Sequence, residues 1–180
     1  LWNQFLTASV AGLVTAALYA IAASGLVVTY TTSGVFNFAH GAFGMMAAFT
    51  YWQFTEGWGL PIWLSLLLVV GVVAPVFGGI VEKGLMRGLE GTSELIKLVV
   101  TVSLLLALIG LAPVIWDPTI ARSVPEFFPD SDPITIAGVG ISIHRIIIFV
   151  AAGLVAVFLR LFLYNPRTGI AMRAVADDHQ

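Results

Sequence analysis

The chain alternates long apolar stretches with short polar connectors, and this pattern predicts helices that cross a membrane. No Asp, Glu, Lys or Arg occurs from Leu1 to Thr55. Five apolar stretches approach the roughly 20 residues that a helix needs to cross a bilayer. Their predicted bounds are Phe5–Tyr30, Gly41–Phe54, Pro61–Val81, Leu95–Ile115 and Ile143–Tyr164. The sequence therefore predicts an all-α polytopic membrane protein with about five transmembrane helices.

A break separates the first two predicted helices, near residues 31–41. Backbone groups at membrane depth must be satisfied internally, so a break there is tolerated where it is buried in protein or lines a cavity. The residues predicted to form this break, or a translocation pathway at it, are Gly34, Phe36, Asn37, Phe38, His40 and Gly41. The break either crosses or re-enters the membrane. On composition alone, a simple kink or tight turn between two helices is the favoured alternative.

The polar connectors predict which side of the membrane each segment occupies. Residues 82–97 hold the densest cationic stretch, with Lys83, Arg87 and Lys97, so the positive-inside rule places them in the cytoplasm. Residues 116–142 then form an external loop, in which apolar residues around two glycines predict a short hairpin. Five crossings would put the N-terminus outside the cell. If the break re-enters the membrane instead of crossing it, the N-terminus would lie on the opposite side. We expect a transmembrane region over residues 1–164.

Composition supports the membrane assignment and argues against catalysis. The chain is 59% hydrophobic and 10% charged, and its net charge of −2 does not favour nucleic acid as a partner. Without cysteine, disulfides and thiolate chemistry are excluded.

A hydrogen-bonded, structural His40 is favoured over a proton carrier, because no acidic residue accompanies it in the predicted spans. Tyr51, Trp52 and Trp58 are expected at the membrane interface. We expect neither an enzyme nor a metal site.

Three stretches of the sequence carry a family resemblance that covers nearly the whole chain. They are Gly25–Tyr30 followed by Gly34–Gly41, then Glu82–Leu89 ahead of Thr101–Leu104, and finally Thr168–Asp177. Together they resemble the branched-chain amino-acid ABC transporter permeases of the high-affinity uptake type. The resemblance implies one of two homologous permease subunits in a bacterial inner membrane. Its implied partners are an extracytoplasmic substrate-binding protein and two ATP-binding cassette subunits.

The resemblance also implies a cytoplasmic coupling segment that starts in residues 165–180. The residues that match it, or follow the match, are Gly169, Ala171, Arg173, Ala174 and Asp177. A short amphipathic helix with cations and small residues suits docking into a groove on a soluble partner, although a helix lying on lipid is the alternative. Because the chain lacks an initiator Met and stops within this segment, we expect a fragment of a longer permease.

The implied function is that of a membrane-spanning permease subunit of an ATP-driven importer, for branched-chain or related amino acids. Members of the resembled family also import urea, other amino acids or amides. A self-contained channel or ion-coupled carrier is the competing class, but it would need an intramembrane charge or ion-ligand cluster that the sequence does not display. No resident cofactor is expected, because ATP would be bound by the partner subunits.

Overall fold

The computed structural model describes residues 1–89, 91–128, 131–136 and 139–164, and this part of the chain is mostly helical. Four of its helices are long and apolar enough to cross a membrane. They are Trp2–Thr31, Ile62–Leu89, Glu94–Ile115 and Ile143–Leu161. Most of their apolar surface is exposed, as in Val114 and Leu161. The all-α polytopic class predicted from the sequence is confirmed.

The helices and strands follow the predicted order. They are α1 (Trp2–Ser33), α2 (His40–Trp52), α3 (Ile62–Leu68), α4 (Ala74–Val81), α5 (Glu94–Ile115), β1 (Ile134–Ile136), β2 (Val139–Ile141) and α6 (Ile143–Tyr164). The second predicted span is the one that is absent from the four candidate membrane spans. Helix α2 has 13 residues and continues as a π-helical turn, Gln53–Gly57.

The third predicted span is one continuous helical stretch that contains a wide turn. A π-helical turn, Val69–Val73, joins α3 to α4, and Pro75 lies in the first turn of α4. Proline has no N–H, and its ring clashes with the carbonyl four residues earlier in a regular α-helix. The predicted kink at Pro75 is therefore accompanied by a widened helical turn, while the helix itself continues.

The connector predicted at residues 82–97 is shorter than expected. Helical structure continues through a π-helical turn, Glu82–Met86, and a 3-10 turn, Arg87–Leu89. Gly91 then adopts a left-handed conformation with φ 78°, and α5 begins at Glu94. Good helix-forming residues such as Glu, Lys, Leu and Met explain why this polar segment stays helical.

The chain forms two compact units. The first comprises residues 1–34 and the described part of 126–180. In it, α1 packs against α6, and β2 contacts α1. Strands β1 and β2 form the predicted hairpin, antiparallel with Ile134 opposite Ile141. The His144 Nδ1 atom accepts a hydrogen bond of 3.2 Å from the Phe127 backbone N–H, which ties the loop to the start of α6.

The second unit comprises residues 35–125 and contains α2 to α5. Helix α2 packs against α5 and against the π-helical turn Val69–Val73. The Phe43 and Phe77 rings meet edge to face, with centroids 5.5 Å apart, and so join α2 to α4. The second unit therefore places α2, with the predicted functional motif at its start, against two neighbouring helical segments.

Candidate functional site

The break begins where α1 ends at Gly34. This residue has a φ of 65°, and its N–H donates a 2.9 Å hydrogen bond to the Tyr30 carbonyl. A left-handed residue after the last helical turn is the usual way to satisfy a carbonyl at the end of a helix, and glycine adopts this conformation without steric cost. Gly34 therefore has a structural reason to be at the end of α1.

Asn37 closes the other side of the break. Its Oδ1 accepts a 3.0 Å hydrogen bond from the Ala39 N–H, and its carbonyl accepts one of 3.1 Å from the His40 N–H. Ala39 is 0% exposed. An Asn side chain that bonds to the backbone two residues ahead is a common way to start a helix or a turn. Asn37 thus satisfies donors at the start of α2 with groups from its own segment.

The contacts within the described part of the chain do not explain why the remaining motif positions carry Phe36, Phe38, His40 and Gly41. The Phe36 and Phe38 rings contact each other, with centroids 4.8 Å apart, yet they are 46% and 41% exposed. His40 is half-buried, and no hydrogen bond joins its ring to the Asn37 side chain in this region. A Cβ at Gly41 would meet nothing within 4 Å.

Five of the six predicted pathway residues lie at the start of the second unit, and these are Phe36, Asn37, Phe38, His40 and Gly41. Gly34 belongs to the end of α1 in the first unit. The predicted coupling residues, from Gly169 to Asp177, lie outside the described residues.

Sequence reasoning missed two buried hydroxyl groups in the second unit. Ser65 is 0% exposed and Tyr51 is 7% exposed, and neither hydroxyl has a hydrogen-bond partner among the described residues. Most other described Ser and Thr hydroxyls in helices donate to a carbonyl three or four residues earlier, as Thr101 does to Leu98 at 3.0 Å. Of the aromatic residues predicted at the membrane interface, Tyr51 is buried within the second unit and Trp58 is 65% exposed, and their depth in a membrane stays a prediction.

Sequence reasoning also missed a set of contacts at the other end of α2, which we call the Trp116 clamp and define as Phe49, Gln53 and Trp116. The Trp116 indole N–H donates a 3.2 Å hydrogen bond to Gln53 Oε1. The indole ring also stacks on Phe49, with centroids 5.1 Å apart. Gln53 and Trp116 lie 63 residues apart in the chain, so no local pattern could have revealed their contact.

The loop after α5 lies against α2 beside the Trp116 clamp. The Arg122 guanidinium carbon lies 4.7 Å from the centroid of the Trp52 ring, and Arg122 Nη1 donates hydrogen bonds to the Asp117 and Ile120 carbonyls. The backbone N–H and the hydroxyl of Thr119 both donate to Asp117 Oδ1 and lower the pKa of this carboxyl below its usual value. The loop is thus an ordered turn with a cation over an aromatic ring.

These features define a class of protein: a multi-pass helical membrane protein with a short helix that starts at a locally capped break. Breaks of this kind at membrane depth occur where they are buried in protein or line a cavity, as in transporters. In bacteria, such a protein lies in the inner membrane.

Comparison with known proteins identifies the family. Residues 9–180 match the family described as "Branched-chain amino acid transport system / permease component", and the chain belongs to that family. It is 30% identical, over 185 aligned positions, to the high-affinity branched-chain amino acid transport system permease protein BraD of Pseudomonas aeruginosa. This alignment covers 97% of the chain and 60% of the relative. No solved structure matches. The family resemblance predicted from the sequence is confirmed.

Proposed function

We propose that this chain is the membrane-spanning part of a permease subunit in an ATP-driven importer of branched-chain or related amino acids. The family match over residues 9–180 is the observation that carries the proposal. The relative from Pseudomonas aeruginosa is named as a component of a high-affinity branched-chain amino acid system, which supports the substrate class. The chain itself performs no covalent chemistry in this proposal.

The proposed assembly supplies what this chain lacks. ATP would be bound and hydrolysed by two ATP-binding cassette subunits, and a second homologous permease subunit would complete the membrane part. An extracytoplasmic binding protein would deliver the substrate. Residues 165–180 would begin the coupling segment that contacts the ATPase, with Gly169, Ala171, Arg173 and Ala174 in that contact and Asp177 after them.

The helix break is the proposed pathway element. Asn37 satisfies the Ala39 and His40 N–H donors at the start of α2 from within the segment, so these two donors need no water at membrane depth. This leaves the exposed faces of Phe36 and Phe38 and the half-buried His40 as the surface that a neighbouring helix or a substrate would meet. Aromatic faces are suited to contact with branched aliphatic side chains, because such contacts bury apolar area.

The test is uptake by the full-length protein reconstituted in liposomes with its ATP-binding, permease and binding-protein partners. We expect ATP inside the liposomes to drive accumulation of radiolabelled leucine, isoleucine or valine. A partner ATPase that binds but does not hydrolyse ATP is the matched control and should abolish uptake.

Four outcomes would contradict the proposal in different ways. Competition by urea or amides, with none by branched-chain amino acids, would assign a different substrate to the same importer class. Uptake driven by an ion gradient without ATP would indicate an ion-coupled carrier, and passive equilibration would indicate a channel. Failure to copurify with an ATP-binding subunit would also argue against an ABC importer.

A further inference from the structure

Gly57 is a crowded glycine at the end of the π-helical turn that follows α2. A Cβ added there would collide with the side-chain amide of Gln53, one helical turn earlier. An added Cβ meets open space at thirteen other glycines, Gly84 among them, and makes an ordinary contact at Gly140. The missing side chain of Gly57 therefore makes room for the Gln53 carboxamide.

The position of the Gln53 carboxamide matters because it holds Trp116. Gln53 Oε1 accepts the indole N–H at 3.2 Å, and the same indole stacks on Phe49 at an interplanar angle of 17°. Phe49 and Gln53 are four residues apart, so they lie on the same face of the helix. Trp116 is 8% exposed and directly follows the end of α5. A chain of contacts thus runs from Gly57 through Gln53 to the end of α5.

A second contact holds the same region. Arg122, six residues after Trp116, places its guanidinium over Trp52, which directly precedes Gln53. Cation–π contacts of this kind hold a charged side chain over the face of an aromatic ring. The end of α5 and the loop after it are therefore attached to the end of α2 at two adjacent positions.

We propose that Gln53 and Gly57 are positioning residues for transport, which fix the end of α2 to the end of α5 through Trp116. Helix α2 carries the Asn37–Gly41 motif at its opposite end, and a continuous helix transmits rotation and translation along its axis. The Trp116 clamp therefore makes the motif move with α5 as one body. The role in transport rests on the proposed function, whereas the contact itself does not.

The first arm of the test measures the contact in the full-length protein. Trp116 is followed by ¹⁹F NMR after labelling with 5-fluorotryptophan, and Trp116→Phe assigns its resonance. Gly57→Ala is expected to shift this resonance, because the new methyl group displaces the Gln53 amide. Gly84→Ala is the matched control, since Gly84 also lies in a π-helical turn but has open space at its Cβ. An unshifted resonance in Gly57→Ala would refute the contact.

The second arm measures uptake by the reconstituted assembly. Trp116→Phe keeps an aromatic ring on Phe49 but removes the indole N–H, so it is a conservative second variant should Gly57→Ala fail to fold. Each single variant is expected to lower the maximal uptake rate about two- to tenfold, as the loss of one hydrogen bond allows. The half-saturating substrate concentration should not change. The double variant should be no slower than the slower single variant, because both changes break the same link.

The outcomes separate this proposal from the proposed function. Additive losses in the double variant, or normal uptake in Trp116→Phe, would refute the positioning role even where the resonance shifts. A wild-type assembly that transports nothing would refute the proposed function, and the positioning role in transport with it, while the resonance arm would still decide whether the contact exists.

Discussion

Replacing Asn37 with alanine should open the start of α2, and the structure sets the size of the effect. The substitution removes the Oδ1 acceptor of the Ala39 N–H, a hydrogen bond of 3.0 Å. The bond lies just ahead of α2 and resembles a helix cap, whose loss costs about 0.5–2 kcal/mol. Because Ala39 is fully buried, its N–H cannot form a replacement hydrogen bond with water unless the structure opens locally. An unsatisfied buried donor costs about 1–3 kcal/mol.

The expected loss of local stability is therefore about 1–3 kcal/mol, the cost of an unsatisfied buried donor, which extends above the range for caps. Since every 1.4 kcal/mol is about tenfold, amide exchange in the peptide that contains Ala39 and His40 should quicken about five- to 150-fold. Hydrogen–deuterium exchange with mass spectrometry measures this directly in detergent-solubilised or nanodisc-embedded protein. Exchange in α5 should not change, because the opening is local.

Two matched variants sharpen the test of the hydrogen bond between Asn37 Oδ1 and the Ala39 N–H. Asn37→Ser keeps a side-chain oxygen acceptor and should exchange at a rate between the wild type and Asn37→Ala. Asn3→Ala makes the same substitution at an exposed position and should leave exchange at α2 unchanged. If Asn37→Ala exchanged at the wild-type rate, the Asn37 side chain would not stabilise the break, and the structural explanation of this residue would be wrong.

Three further predictions concern other parts of the chain. Cysteines in place of Ser93 and Ser123 should react with an impermeant thiol reagent from opposite sides of the membrane, because the 22 residues of α5 span about 33 Å; reaction from one side only would contradict a spanning helix. The pKa of the Asp117 carboxyl should lie below that of an ordinary aspartate. The hydrogen bonds from Thr119 to this carboxylate therefore stabilise the turn fully above the ordinary carboxyl pKa, and this stabilisation is lost as the pH falls through the lowered pKa. Thr119→Val should raise this pKa in a carboxyl ¹³C NMR titration, and an unchanged titration would show that the Thr119 hydroxyl does not lower it. In the full assembly, Arg173→Glu should abolish substrate-stimulated ATP hydrolysis while Arg173→Lys retains it, and normal stimulation in both would remove this residue from the coupling contact.

The ends of most helices could be predicted from the sequence because local signals mark them. The predicted bounds of the last span, Ile143–Tyr164, agree with α6, and those of the fourth differ from α5 by one residue. Gly34 ends α1 by a conformation that glycine adopts most easily. Hydropathy and glycine placement therefore suffice where a helix ends within a few residues of a change in polarity.

The packing within the second unit could not be predicted in the same way. Helix α2 is apolar on nearly all sides, and in lipid an apolar face does not distinguish a neighbouring helix from an acyl chain. The sequence therefore did not indicate that Tyr51 would be buried within its own unit while Trp58 would stay exposed. The Gln53–Trp116 hydrogen bond depends on the same helix rotation, which no local pattern specifies.

The π-helical turns were also outside the reach of sequence patterns. A π turn adds one residue to a helical turn without altering its hydropathy, so the run Val69–Val73 reads as ordinary apolar helix. Pro75 indicated a disturbance nearby but not its form. The polar run after Val81 indicated a connector, yet helix propensity kept Glu82–Met86 helical.

The structure divides the pathway motif into residues that the fold explains and residues that it does not. Gly34 supplies a left-handed helix end, and Asn37 satisfies the buried Ala39 N–H, so the fold of the break itself explains both residues. The fold does not explain the other three residues in this way. Among the described residues, no backbone group is satisfied by the side chain of Phe36, Phe38 or His40, and these side chains are exposed or half-buried. His40 is an ionisable group in a predicted membrane region, and such groups usually face protein or a cavity, so the transport role proposed for the motif is tested at His40 and at its aromatic neighbours Phe36 and Phe38. Substitutions at Gly34 and Asn37 test the fold of the break, and substitutions at the other three test the pathway.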